Sequence, residues 1–197
     1  MTLEFGPTRI ATLAIVMVCW IVFGIIFTTR RKPPKSSETK RLNVSRWGIV
    51  LQALSFAVTW NLPRQHFIPS GTPKWLEIIF AVLTAAIAVS SICLCLSAVR
   101  TLGKQWALVA RVVEGHQLIT NGPYALVRNP IYLGIFGMLV ATALVFSRWW
   151  MLCIGVVLFL IGNSIRIKSE EQLLRESFGQ QFEDYTKRVP AMFPRFL

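Results

Sequence analysis

Arg128, Arg166, Glu170 and Glu171 are the residues of this chain best suited to chemistry, because charges of both signs bracket two apolar runs near its C-terminal end. Ionisable groups close to hydrocarbon are costly, so several of them converging at one end of two adjacent spans read by default as a site. Arg166 and Glu170 stand four apart and share a helical face, with Asn163 nearly on it one turn earlier. An exposed intrahelical ion pair, worth about 0.3–0.5 kcal/mol, would account for that pair alone. The second acid, Glu171, and a hairpin that returns this end of the chain to Arg128 argue for more.

Upstream, Gly122-Pro123-Tyr124 and Arg128-Asn129-Pro130-Ile131-Tyr132 lead into the first of the two runs. Pro130 fits the first turn of a helix, where its missing amide costs nothing, and Asn129 fits the N-cap; both are explicable without function. Arg128 and Tyr132 place a cation and a phenol at the membrane boundary, a position that an arginine snorkelling to phosphate would also occupy. The connector from Glu114 to Tyr124 carries glycines and a proline that bend the backbone and leave main-chain groups able to grip a ligand. An ordinary surface turn has the same composition.

The elements that must position these residues are helical. Of 197 residues, 54% are hydrophobic and 15% charged, with a mean hydropathy of +0.54, against about 25% charged in soluble domains. Uncharged cores at about 10–28, 47–62, 78–99, 131–147 and 149–165 predict five spans, the last two as a hairpin. The second, with Gln52, Thr59 and Asn61, is the weakest, and the first reads as a span and not a signal peptide, because its positive cluster follows the apolar run. From about Lys168 to Tyr185, Leu173, Leu174, Phe178, Phe182 and Tyr185 recur at helical spacing, which predicts an amphipathic tail helix against the hairpin or in the interface. The expected fold class is therefore all-α and polytopic. Residues 1–97 form a membrane scaffold in this reading, and residues 98–197 carry the connector, hairpin and tail that build the site.

Charge sets the expected orientation. Arg30, Arg31, Lys32, Lys35, Lys40, Arg41 and Arg46 oppose only Glu38 between the first two spans, and such loops stay in the cytoplasm. The N-terminus is then outside, and an odd number of spans puts the C-terminus and the site in the cytoplasm. The net charge of +12 fits basic loops beside anionic lipid and, with no recognition helix or aromatic-basic sheet pattern, excludes nucleic acid as a partner. Cys19, Cys93, Cys95 and Cys153 all lie in apolar segments, and His66 and His116 fall on opposite sides of the bilayer, a distribution that predicts no metal.

From His116 onward the chain resembles the isoprenylcysteine carboxyl methyltransferase and phospholipid methyltransferase group of integral-membrane enzymes. The resemblance rests on Gly115-His116-x-Leu118, Gly122-x-Tyr124, Arg128-x-Pro130-x-Tyr132-x-Gly134, Arg166-x-x-x-Glu170-Glu171, Leu173-Leu174, Phe178-Gly179, Tyr185 and Pro190-x-x-Phe193-Pro194. The ordered series is specific where any one element is weak. Asn129 departs from the group's arginine-histidine-proline triplet, so a side-chain contact made by that histidine falls to an amide, and a role as base is lost.

The resemblance implies methyl transfer from S-adenosylmethionine to a lipophilic or lipidated acceptor drawn from the bilayer. It implies that His116, Gln117, Leu118 and Ile119 hold the cofactor largely through the backbone, that Gly122, Tyr124, Asn129, Pro130 and Tyr132 line it, and that Glu170 or Glu171 meets its ammonium. Arg128 and Arg166 are then available to an anionic acceptor, and Arg128, Arg166 and Glu170 are the expected catalytic residues. Displacement at a sulfonium needs alignment above all. A carboxylate acceptor is already ionised and cancels the sulfonium charge as it reacts, whereas an amine must first lose a proton, for which Glu170 or Glu171 is the plausible base. A carboxylate such as an isoprenylcysteine is preferred, with a phospholipid amine, an NADPH-dependent membrane reductase and a noncatalytic scaffold as competing readings.

Overall fold

The computed structural model describes residues 6–28, 38–41, 44–60, 71–103, 111–113 and 117–193. Helices α1 (Pro7–Thr28), α2 (Ser45–Thr59), α3 (Lys74–Leu102), α4 (Pro130–Phe146) and α5 (Trp149–Phe178) form a bundle, followed by the short α6 (Gln180–Arg188). Each of the five uncharged segments is helical over the body of its described residues. By length and apolar composition α1, α3 and α5 can each cross a membrane. α2 and α4, with 15 and 17 residues, reach about 22–26 Å at 1.5 Å per residue, short of a hydrocarbon core of about 30 Å. The protein is an all-α integral membrane protein.

Two features differ from the expectation. The expected tail helix is split: its first half continues α5 without a break to Phe178, because helix-forming Arg, Lys, Glu, Gln and Leu dominate 166–175 and nothing interrupts them before Gly179, and its second half is α6. Gly179, at φ +49°, ends the helix and gives its amide to the Arg175 carbonyl at 2.9 Å. The second feature is a two-stranded antiparallel ribbon of β1 (Glu38–Arg41) and β2 (Arg111–Val113). Strands of four and three residues are too short to show a two-residue period in sequence.

Small residues decide how the helices meet. The buried positions of α2 are Ser45, Gly48, Gln52, Ser55 and Thr59, and on α5 Gly155, Phe159, Gly162, Arg166, Ser169 and Leu173 are among those buried. Both sets alternate steps of three and four, the 3.5-residue period that keeps two helices in register side by side. With lipid as apolar as leucine, close van der Waals packing of small residues is what drives such pairing. A Cβ on Gly162 would lie 2.8 Å from the Gly48 carbonyl oxygen and 2.8 Å from Leu51 Cβ, so the two backbones nearly touch. α3 meets α4 in the same way: a Cβ on Gly134 would lie 2.9 Å from the Ser91 carbonyl oxygen. α1 packs on α3 through Val16, Cys19, Ile26, Ala88, Ile92 and Val99, and Met138 and Ala141 of α4 join that core. At the far end Trp20 Nε1 donates to Thr142 Oγ1 at 3.0 Å and Trp60 stacks on Phe146. α4 is thus held on both sides, and its first turn faces the middle of α5.

Candidate functional site

The first turn of α4, the middle of α5 and the chain after α6 converge on Tyr132, Arg166 and Glu170. Arg166 is 5% exposed. Its Nη1 donates to Gln52 Oε1 of α2 at 2.9 Å, its Nη2 lies 3.9 Å from Glu170 Oε1, and its Cζ sits 4.9 Å from the centroid of the Tyr132 ring. Within about 6 Å of a ring face a guanidinium gains a cation–π attraction, which grows as water is excluded. The Tyr132 hydroxyl donates to Glu170 Oε1. The result is a half-buried acid held by a phenol and an arginine, with the arginine itself held by an amide.

That amide begins a chain. Gln52 Nε2 donates to Asn163 Oδ1 at 3.3 Å, and Asn163 Nδ2 points at Met192 Sδ at 3.1 Å. Gln52, Asn163 and Met192 are all buried, so the hydrogen bonds offset a desolvation that would otherwise cost about 1–3 kcal/mol for each polar group.

Arg128 is placed differently. Its Nε and Nη2 donate to Glu171 Oε1 at 2.9 and 2.8 Å, and its Nη1 donates to the Thr186 and Val189 carbonyls at 3.2 and 2.5 Å. Its backbone amide donates to the Pro190 carbonyl at 2.9 Å. The neighbouring Asn129 gives α4 no side-chain cap; its Nδ2 donates to the Ala191 carbonyl at 2.8 Å. Residues 189–193 therefore form a strap tied across the entrance to α4, and Glu171 is spent on Arg128.

The connector completes one wall. Gly122 opens the 3-10 turn Gly122–Ala125 at φ +58°, so its backbone calls for glycine, and a Cβ there would crowd Thr101 Oγ1 at 3.2 Å. Leu118 packs on Phe182, Tyr185 and Val189. The Tyr185 hydroxyl donates to the Tyr124 carbonyl at 2.6 Å, and burial pushes the Tyr185 phenol up to about 12, which keeps it a donor. Burial first and the Glu170 carboxylate second raise the Tyr124 phenol, which ties this turn electrostatically to the acid on α5. Residues 117–121 form no regular element.

Of the residues the sequence singles out, Tyr132, Arg166 and Glu170 are in mutual contact, while Arg128, Asn129 and Glu171 join the strap. Gln117, Leu118, Ile119, Gly122 and Tyr124 lie on the connector wall, Pro130 opens α4, and His116 lies outside the described residues. Gln52 and Met192 were not singled out for the site. Gln52 drew notice only as a polar residue in a weak span, and the signal that could have found it is its place in the 45, 48, 52, 55, 59 series.

A sequence model of a family described as phospholipid methyltransferase matches residues 79–181. The chain is 30% identical over 150 residues to a probable protein-S-isoprenylcysteine O-methyltransferase of Oryza sativa subsp. japonica, covering 72% of this chain and 74% of that protein. It is 34% identical over 81 residues to the protein-S-isoprenylcysteine O-methyltransferase of Schizosaccharomyces pombe, covering 41% of this chain and 34% of that one. It is 33% identical over 96 residues to a nickel-cobalt-cadmium resistance protein of Alcaligenes xylosoxydans xylosoxydans, covering 48% and 45%. The matched stretch spans less than half the length of these last two relatives.

Proposed function

The chain belongs to the phospholipid methyltransferase family, and from that premise we propose that it is an integral-membrane methyltransferase that moves a methyl group from S-adenosylmethionine to a lipophilic carboxylate of the isoprenylcysteine kind. The observation that carries this reading is the contact of Tyr132, Glu170 and Arg166 beside the connector wall. The donor set fits the cofactor: a half-buried, still accessible carboxylate suits its ammonium, and the non-helical backbone of 117–121, with Tyr124 beside it, suits a polar group and a flat ring. His116, Gln117, Leu118, Ile119, Gly122, Tyr124, Asn129, Pro130 and Tyr132 would line it, with Glu170 meeting the ammonium. When bound, the cofactor supplies an electrophilic methyl on a sulfonium.

Everything else is positioning. Tyr132 and Arg166 hold the Glu170 carboxylate against rotation, so its charge faces one way before any ligand arrives. Arg166, while holding Glu170, sets a positive charge beside the site toward which an acceptor carboxylate is drawn, and that carboxylate needs no base because it is ionised at pH 7. Arg128 and Glu171, neutralised by one another, close the entrance with the strap and exclude water, which strengthens each charge interaction inside. Residues 98–197 carry this machinery and 1–97 support it in this reading, with the N-terminus outside and the site on the cytoplasmic side.

Thermal unfolding of detergent-purified protein with S-adenosylhomocysteine or NADPH tests the cofactor, because only a ligand of the native state raises the melting temperature. Stabilisation by S-adenosylhomocysteine alone is expected; stabilisation by NADPH alone would replace this reading with the reductase. Methyl transfer to N-acetyl-S-farnesylcysteine but not to phosphatidylethanolamine would identify the acceptor as a carboxylate, and the reverse result would make it an amine.

A further inference from the structure

We propose that Gln52 of α2 is a positioning residue for Arg166, and that Asn163 and Met192 extend its hold to the C-terminal strap. The proposal rests on the methyltransferase reading and adds to it a residue outside the stretch 79–181 that the family match covers.

The argument starts from what α2 buries. Ser55 and Thr59, on the same face as Gln52, turn their hydroxyls back on the carbonyls of Gln52 and Ser55 at 2.7 and 3.2 Å. Gln52 alone of these three reaches across to α5. It can do so because Gly48 and Gly162 bring the two backbones together one turn away, where any Cβ would collide. A short residue at position 52 would match the small residues on the rest of this face; the amide has a different use.

Its direction is dictated chemically. A guanidinium has only donors, so Gln52 must turn its carbonyl oxygen toward Arg166, which leaves its NH2 for Asn163 Oδ1. Asn163 must then turn its own NH2 away, toward Met192 Sδ. Arg166, Gln52, Asn163 and Met192 thus form a one-way series of donors in which each member fixes the next. The series ends on the strap, two residues from the Pro190 carbonyl that Arg128 holds and next to the Ala191 carbonyl that Asn129 holds. With one edge of its guanidinium fixed by Gln52 and its face set over Tyr132, Arg166 keeps one orientation beside Glu170. Seating of the strap is coupled to that orientation through the same series.

The test uses the full chain in phosphatidylcholine nanodiscs, with S-adenosylhomocysteine titration, N-acetyl-S-farnesylcysteine turnover and thermal unfolding. Gln52→Leu is expected to lower kcat by about 10- to 100-fold, the scale of a misaligned reacting group. Its S-adenosylhomocysteine Kd should stay within about threefold, because Tyr132 still holds Glu170 and the connector is untouched. Gln52→Glu, which keeps an acceptor for Arg166, is expected to recover most of the rate. Gln52→Leu on an Arg166→Met background should cost nothing further, since methionine has no donor for Gln52 to hold. Unchanged kcat in Gln52→Leu, additive losses in the double variant, or an equal loss in Gln52→Glu would overturn the positioning role. A wild-type protein that neither binds S-adenosylhomocysteine nor turns over would sink the methyltransferase reading itself, and the proposal with it.

Discussion

Arg128 and Arg166 look alike in sequence, each a lone arginine at the membrane end of a hairpin helix, yet the structure holds them by different means. Arg128 is bound, through its side chain and its own amide, to three backbone carbonyls, of Thr186, Val189 and Pro190, and to one carboxylate, Glu171. Arg166 is bound by side chains, Gln52, Glu170 and the Tyr132 ring. Partners on the backbone fix the path of a chain segment, whereas partners on side chains fix the aim of one functional group. Arg128 therefore shapes the tail, and in the methyltransferase reading Arg166 is the group whose aim matters.

The sharpest way to break this comparison is to remove the aimed groups. Arg166→Ala should reduce methyl transfer at least 100-fold while the protein still elutes as a single species. Glu170→Gln should weaken S-adenosylhomocysteine binding by about 10- to 100-fold, as expected for losing a charged hydrogen-bond partner of about 1.5–3 kcal/mol. Titration calorimetry reads the second directly. Native affinity in Glu170→Gln would move the ammonium contact elsewhere.

Arg128→Ala should act mainly on stability. It leaves Glu171 without its cation and two carbonyls without a donor, in a pair only 13% and 16% exposed, so a loss of about 2–3 kcal/mol is expected. Denaturant unfolding measures it, and faster proteolysis after α6 would show that the strap is released. A variant as stable as the parent, but inactive, would give Arg128 the role assigned to Arg166.

Much of this fold was legible because apolar runs have a length and a period. The five uncharged segments became helices over the body of their described residues, and Pro130 and Gly122 took the places that their backbone chemistry favours, while Gly179 ends α5 where the reading ran one helix through it. What was not legible depends on partners distant in sequence. Nothing in the i, i+4 spacing of Arg166 and Glu170 says that Gln52, 114 residues away, completes the pair. Gln52 was read as weakening its span, when its cost is offset by a partner on another helix. Asn129 fits an N-cap by type and position, but its amide goes to the strap, a contact of 62 residues' separation. Local propensity cannot weigh an alternative that only tertiary structure offers.

Gly162→Ala sharpens the comparison by acting on the aimed arginine through packing alone. The added methyl meets the Gly48 carbonyl and Leu51, an overpacking that costs about 1–3 kcal/mol. Forcing α2 from α5 should also draw Gln52 away from Arg166, so kcat should fall beyond what the lost stability explains. Turnover measured well below the melting transition separates the two effects. An alanine that lowers stability and leaves kcat alone would show that Arg166 tolerates a shift of its amide.

The smallest effect is expected on the tail side, from Tyr185→Phe. It removes one hydrogen bond, to the Tyr124 carbonyl, with a net loss of about 1 kcal/mol. The pH dependence carries more information. Tyr185 has its folded pKa raised from an ordinary 10 to about 12 by burial, so its contribution is fully present below pH 10 and is lost as the unfolded chain ionises between the two values. The stability difference between the parent and Tyr185→Phe should therefore be flat from neutral pH to about 9 and shrink above 10. Both proteins share every other titrating group, so subtracting their unfolding curves isolates this phenol. A difference that grew with pH would mean that the phenolate is the better-bound form, and α6 would then meet the connector through a charge and not through a neutral donor.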